Sequence, residues 1–176
     1  MSQKFTYALY ILTMRVTTGL KWGLVVGAVV GVLQGIVSYL EYLETGEALL
    51  RFIYQEMIRQ GTPPEVATRA LEISRFFIGP GAVVSSIIGN VITYLIIGII
   101  MAAVWEKLRT GWLVKGVIFS VALLAITVIP ALVSPPPPGY PRSPIQYTAL
   151  HIAISFAGPL LLAAFLNKTA QKEVTS

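Results

Sequence analysis

His151 is the only histidine in the chain, and cysteine and aspartate are both absent. Disulfides, thiolate metal sites and iron–sulfur clusters are excluded at once. A metal site would have to draw on this one imidazole, on glutamates such as Glu41 or Glu44, or on ligands from another chain. One imidazole cannot hold a metal alone, and a haem with two axial histidines would need dimer symmetry or a partner, so the metal stays unassigned and no cofactor is expected. His151 itself reads as a hydrogen-bonded structural residue or as a contact for a metal ion, a proton or a quinone. Gln34 and Asn90 are the two other polar side chains placed toward a helix-bundle interior. They read as partners in an interhelical hydrogen bond worth ~1 kcal/mol, or as the lining of a polar path shared with His151.

Catalytic arrangements are missing. There is no G-x-S-x-G, no H-E-x-x-H and no G-x-x-x-x-G-K-[ST], and no paired carboxylates fall within the apolar stretches. Enzyme activity is not expected of this chain alone, and any ATP-driven step belongs to another subunit.

The sharpest pattern is structural. Gly19, Gly23, Gly27, Gly31 and Gly35 recur at strict four-residue spacing. Four residues turn an α-helix by ~400°, so the glycines drift ~40° per step into a slanted groove suited to close helix packing, a glycine zipper. Gly81, Ser85 and Gly89, followed by Thr93, repeat the spacing and form a candidate mate. The groove serves packing within the chain, self-association, docking of a partner subunit, or a glycine-lined pore; the spacing alone does not choose among them.

The elements that must position these residues follow from composition. The 176 residues are 55% apolar and 12% charged, with a mean hydropathy of +0.74, whereas charged residues make up about a quarter of an ordinary soluble domain. Membrane lipid is the expected solvent, and an all-α integral membrane protein is the expected class. Four apolar stretches have the ~20 residues that a helix needs to cross ~30 Å of hydrocarbon. They are residues 22–40, 81–104, 112–133 and 145–166.

Residues 1–21 carry Phe5, Leu9, Leu12, Val16 and Leu20 at spacings of three and four, which predicts an uncleaved amphipathic segment at the interface, extending the first helix. Trp22 at one end of the first span, with Tyr39 and Tyr42 at the other, is expected at headgroup depth. Lys115 is expected to snorkel to the headgroups at the start of the third span. Gly158 and Pro159 predict a kink in the fourth.

Residues 44–77 read as an extramembrane hairpin of two amphipathic helices. Thr62, Pro63 and Glu65 predict a capping box opening the second, and Glu47 with Arg51 and Glu65 with Arg69 predict i,i+4 ion pairs. Residues 134–144, with Pro135 to Pro138, predict a stiff proline-rich loop. Glu106 beside Lys107 and Arg109 reads as an interfacial charge cluster.

Lysines and arginines set the orientation. Lys4, Arg15, Lys21, Lys107, Arg109, Lys115, Lys168 and Lys172 fall on one side, against Arg51, Arg59, Arg69, Arg75 and Arg142 on the other. The bias predicts a multi-pass protein of the cell membrane with both termini, including the 167–176 tail, in the cytoplasm. The net charge of +5 is explained by this topology and by anionic lipid, so no nucleic-acid partner is expected.

The stretch PALVSPPPPGYPRSPIQYTALHIAIS, from Pro130 to Ser155, resembles the CbtA-like family of predicted cobalt transporters, which has a similar proline-rich loop between two late membrane helices. The glycine-rich GLVVGAVVGVLQGIVSYLEYLE is similar in style to that family's first helix. The resemblance covers about 60 residues, and it implies a small metal-uptake component that works with other membrane subunits. The chain departs from the family in having four spans where five are usual, and in lacking a histidine cluster. Together these readings point to a non-enzymatic accessory or structural subunit of a larger membrane complex, associating with other membrane subunits or with itself. The alternative is a small transporter or channel component, with a divalent metal as its cargo.

Overall fold

The computed structural model describes residues 3–105 and 107–175, with side chains over residues 15–171 apart from 106, 131 and 132. The faces of Phe5, Leu9 and Leu12 and the Glu106 cluster lie outside the described residues. The described residues form five helices: α1 (Gln3–Arg59), α2 (Pro64–Ile78), α3 (Pro80–Val104), α4 (Trp112–Val133) and α5 (Ile145–Thr175). Four of them, α1, α3, α4 and α5, are long and apolar enough to cross a membrane.

The largest departure from expectation is α1. The N-terminal segment extends the first span, as expected, but the first hairpin helix also continues it without a break, giving one helix of 57 residues, ~85 Å long at ~1.5 Å per residue. Nothing in the sequence stops it, because the first proline is Pro63 and the Thr45 hydroxyl bonds back to the Glu41 carbonyl at 2.9 Å without leaving the helix. Polar residues at 41–47 mark a change of neighbour, not an end. The helix ends at Gly61, whose φ of +85° suits glycine alone. There the Gly61 amide bonds to the Ile58 carbonyl and the Thr62 amide to the Met57 carbonyl, both at 2.9 Å, which is a Schellman cap.

The capping box expected at Thr62 does not form. Pro63 takes the N-cap position with ψ of 140°, and no side chain caps the helix. The reason is local: a residue before proline is pushed out of the α region, so Pro63 cannot be the first helical residue when Pro64 follows it. Between α2 and α3 only Gly79 intervenes.

α1 and α3 run antiparallel, with Gly19 against Gly98 and Gly35 against Val83. By that register the end of α1 passes the start of α3 and projects ~30 Å beyond it. α2 folds back along this projection, burying Ala67 and Leu50. Glu47 pairs with Arg75 of α2 at 2.9 Å rather than with Arg51.

The core lies where α1, α3 and α5 meet. It consists of Val26 and Val30 from α1, Tyr94 and Met101 from α3, and Leu162, Ala163 and Leu166 from α5. α4 lies outside this triad and packs on α5. Gly116 lets the Leu160 backbone approach it, and the Ser120 hydroxyl donates to the Phe156 carbonyl at 2.6 Å. Lys115 is 7% exposed. Its ammonium donates to the Trp105 carbonyl at 2.5 Å and sits 4.2 Å from the Trp105 ring centre, satisfying the carbonyl end of α3.

Candidate functional site

α1 presents two seams. On the first, all five glycines are buried against α3. A Cβ on Gly27 would lie 2.7 Å from the Val91 Cα, one on Gly31 2.6 Å from the Ile87 Cα, and one on Gly35 2.8 Å from the Val83 Cα. On Gly19 and Gly23 it would run into the carbonyls of Gly98 and Tyr94. Backbone meets backbone along the whole groove, which only residues without side chains permit.

The mate of this groove is not the one the spacing indicated. Ser85 and Gly89 are exposed, and a Cβ on Gly89 would meet nothing within 4 Å. The face against the glycines is Val83, Ile87, Val91, Tyr94 and Gly98, one notch round the helix. Gly81 is buried, but against the Phe76 carbonyl of α2. In this seam the approach is governed by the empty side of α1, so the facing helix can offer valine and isoleucine.

The second seam joins α1 to α5 and carries the polar chemistry. Trp22 stacks on Phe165 with ring centres 4.4 Å apart, and its indole N–H donates to the Thr169 hydroxyl at 3.0 Å. Trp22 thus makes an interhelical contact. At the other end, the Gln34 Nε2 donates to the Ser155 hydroxyl at 2.8 Å and approaches the His151 carbonyl at 3.4 Å. The Gln34 Oε1 lies 3.2 Å from the His151 Nδ1. On its other side the His151 ring turns Nε2 toward Glu41 Oε2 at 3.5 Å. One turn further on, the Tyr147 hydroxyl lies close to the Glu44 carboxylate. Residues 34, 41 and 44 on α1 therefore face 155, 151 and 147 on α5, in antiparallel order.

Of the three polar residues singled out from the sequence, Gln34 and His151 meet and Asn90 does not join them. The Asn90 amide donates to the Ser86 carbonyl of its own helix at 2.9 Å. The structure adds Glu41, Glu44, Tyr147 and Ser155 to the seam, and Ser120 between α4 and α5.

It also adds Tyr94. This side chain is 1% exposed and its hydroxyl has no hydrogen-bond partner. It reaches α5 beside Gly158, in space that any larger residue there would occupy. Its signal in the sequence was position: a tyrosine ten residues from the end of an apolar helix is too deep for an interfacial belt.

A crevice of about 190 Å³, lined by Ser38, Glu41, Tyr42 and Thr45 with Leu49 and Ile78, opens beside this polar cluster. The seam sets hydrogen-bonding side chains of α1 against those of α5. Among the described residues no three His, Cys, Asp or Glu come together. Compared with known proteins, the chain matches no family model, no curated protein and no solved structure.

Proposed function

We propose that the chain is a non-enzymatic, multi-pass protein of the cell membrane that serves as a structural or accessory subunit of a larger membrane complex. In this reading α1, α3, α4 and α5 span the bilayer. The projecting hairpin and the proline loop lie outside, and the lysine-rich termini lie in the cytoplasm, following the charge bias.

The observation that supports it best is how the centre of the fold is filled. The glycine contact shuts the α1–α3 seam, and Val26, Val30, Tyr94, Met101 and Leu162 fill the space where α5 joins. A centre filled in this way suits a chain that works across a membrane together with other chains. α4 supports the same reading: it rests on α5 and turns Val121, Ile126, Ile129 and Val133 outward. Native mass spectrometry of the tagged protein, extracted gently from its host membranes, tests this. A stoichiometric complex with another membrane chain is expected. A monomer that carries ions or solutes by itself in reconstituted vesicles would overturn it.

The second reading is a small transport or channel component, with the divalent metal cargo that the resemblance over Pro130–Ser155 implies. The polar seam running from Glu44 to Ser155 is the feature that favours it.

A further inference from the structure

The hydrogen bonds around His151 leave one proton unaccounted for. The His151 carbonyl can only accept, so the Gln34 atom 3.4 Å from it, which also bonds Ser155, is the NH₂ group. The amide oxygen then faces His151 Nδ1 at 3.2 Å, and Nδ1 must carry a hydrogen. A neutral imidazole has one N–H only, so with Nδ1 occupied its Nε2 is a bare acceptor. That acceptor points at a carboxylate oxygen 3.5 Å away. Two acceptors facing each other repel; one proton between them turns the contact into a charge-assisted bond.

We infer that His151 and Glu41 form a one-proton binding site between Nε2 and Oε2, and that this proton latches the first half of α5 onto α1. The two side chains are 26% and 24% exposed, and Glu41 lines the crevice beside them. The ionisable groups around it are few. α1 contributes Glu41, Glu44 and Tyr42, α5 contributes Tyr147, and α3 contributes Tyr94 about one to two turns deeper. α4 has no ionisable residue from Gly116 to Val133.

The chain also has a place to bend when the latch opens. Pro159 cannot donate to the Ser155 carbonyl, so α5 lacks one backbone bond between the half that carries His151 and the half in the core. Gly158 beside it has no side chain, and Tyr94 fills the space. Proton binding favours the docked half-helix, and loss of the proton as pH rises releases it. This inference concerns α1 and α5 within one chain and does not depend on a partner chain.

Because His151 is the only histidine, ¹⁵N-histidine labelling of the full chain in lipid nanodiscs yields a single imidazole. Between about pH 5 and about pH 9, the range in which histidine changes charge, ¹⁵N NMR should show Nδ1 keeping its hydrogen while Nε2 alone titrates. Glu41→Gln, whose amide N–H can donate to the bare Nε2, should move the Nε2 resonance of the neutral ring toward that of a hydrogen-bonded acceptor. A resonance that Glu41→Gln leaves in place, or a neutral form protonated on Nε2, would overturn the site.

The latch is read by spin labels on Leu43→Cys and Leu150→Cys, both exposed positions in a chain without native cysteine. Their distance should gain a longer population as pH rises through the midpoint. A reference pair at Val29→Cys and Ile88→Cys, across the glycine seam, should stay constant and show that the fold is intact. A Leu43–Leu150 distance that does not change with pH would overturn the latch.

Discussion

The two seams of α1 differ in the way a helix secures a neighbour. Toward α3 it removes side chains, so that five glycines bring two backbones together and dispersion does the work. Toward α5 it adds them, through Trp22, Val26, Val30, Gln34, Glu41 and Glu44. The stripes are neighbours on the helix: 22, 26, 30 and 34 each precede a glycine by one residue. A backbone contact has no alternative geometry, whereas polar side chains can exchange partners with water or protons. The difference separates a fixed joint from an adjustable one, built on the same helix.

The largest expected effect tests the fixed joint. Gly27→Leu should destabilise the fold by ~3 kcal/mol or more, because the nearest atom is backbone and cannot turn aside. Gly89→Leu, on the open face of α3, should change stability by only ~0.5 kcal/mol. Thermal unfolding followed by circular dichroism in detergent gives both; equal losses would mean that the groove does not hold the helices together. Next comes the adjustable joint. Gln34→Leu should cost ~1–2 kcal/mol by leaving Ser155 and His151 without their partner. A loss as large as that of Gly27→Leu would erase the distinction between the seams.

Tyr94→Phe, where the seams converge, should give the smallest change and the opposite sign. Removing a buried hydroxyl that has no partner should stabilise the chain by ~1 kcal/mol in the same unfolding measurement. A loss instead would show that the hydroxyl is used.

Hydropathy and length made the four long helices legible, because ~20 apolar residues leave few alternatives to a helix. The joining of α1 into one rod was not legible. Charged residues at 41–47 look like an exit from lipid, yet a helix stops only where backbone chemistry stops it, and that signal was Gly61. The glycine stripe could be read as a groove, but its occupant could not. A spacing of four marks Ser85 and Gly89 as readily as Val83 and Ile87, and only the opposite helix decides between them. The meeting of Gln34 with His151 spans 117 positions in sequence, and no local pattern encodes that distance. Asn90 shows the converse: a polar residue in an apolar helix can be satisfied by its own backbone.

The sequence distance between α1 and α5 has a consequence for biogenesis. Helices enter a membrane in chain order and then associate side by side. The glycine face of α1 meets α3 early in synthesis, but Trp22 must wait for Thr169, 147 residues later. Until then Gln34, Glu41 and Trp22 stand without their final neighbours, and a chaperone or insertase that shields polar side chains would find its substrate in that interval. α5 thus completes a surface that α1 presents much earlier in the sequence.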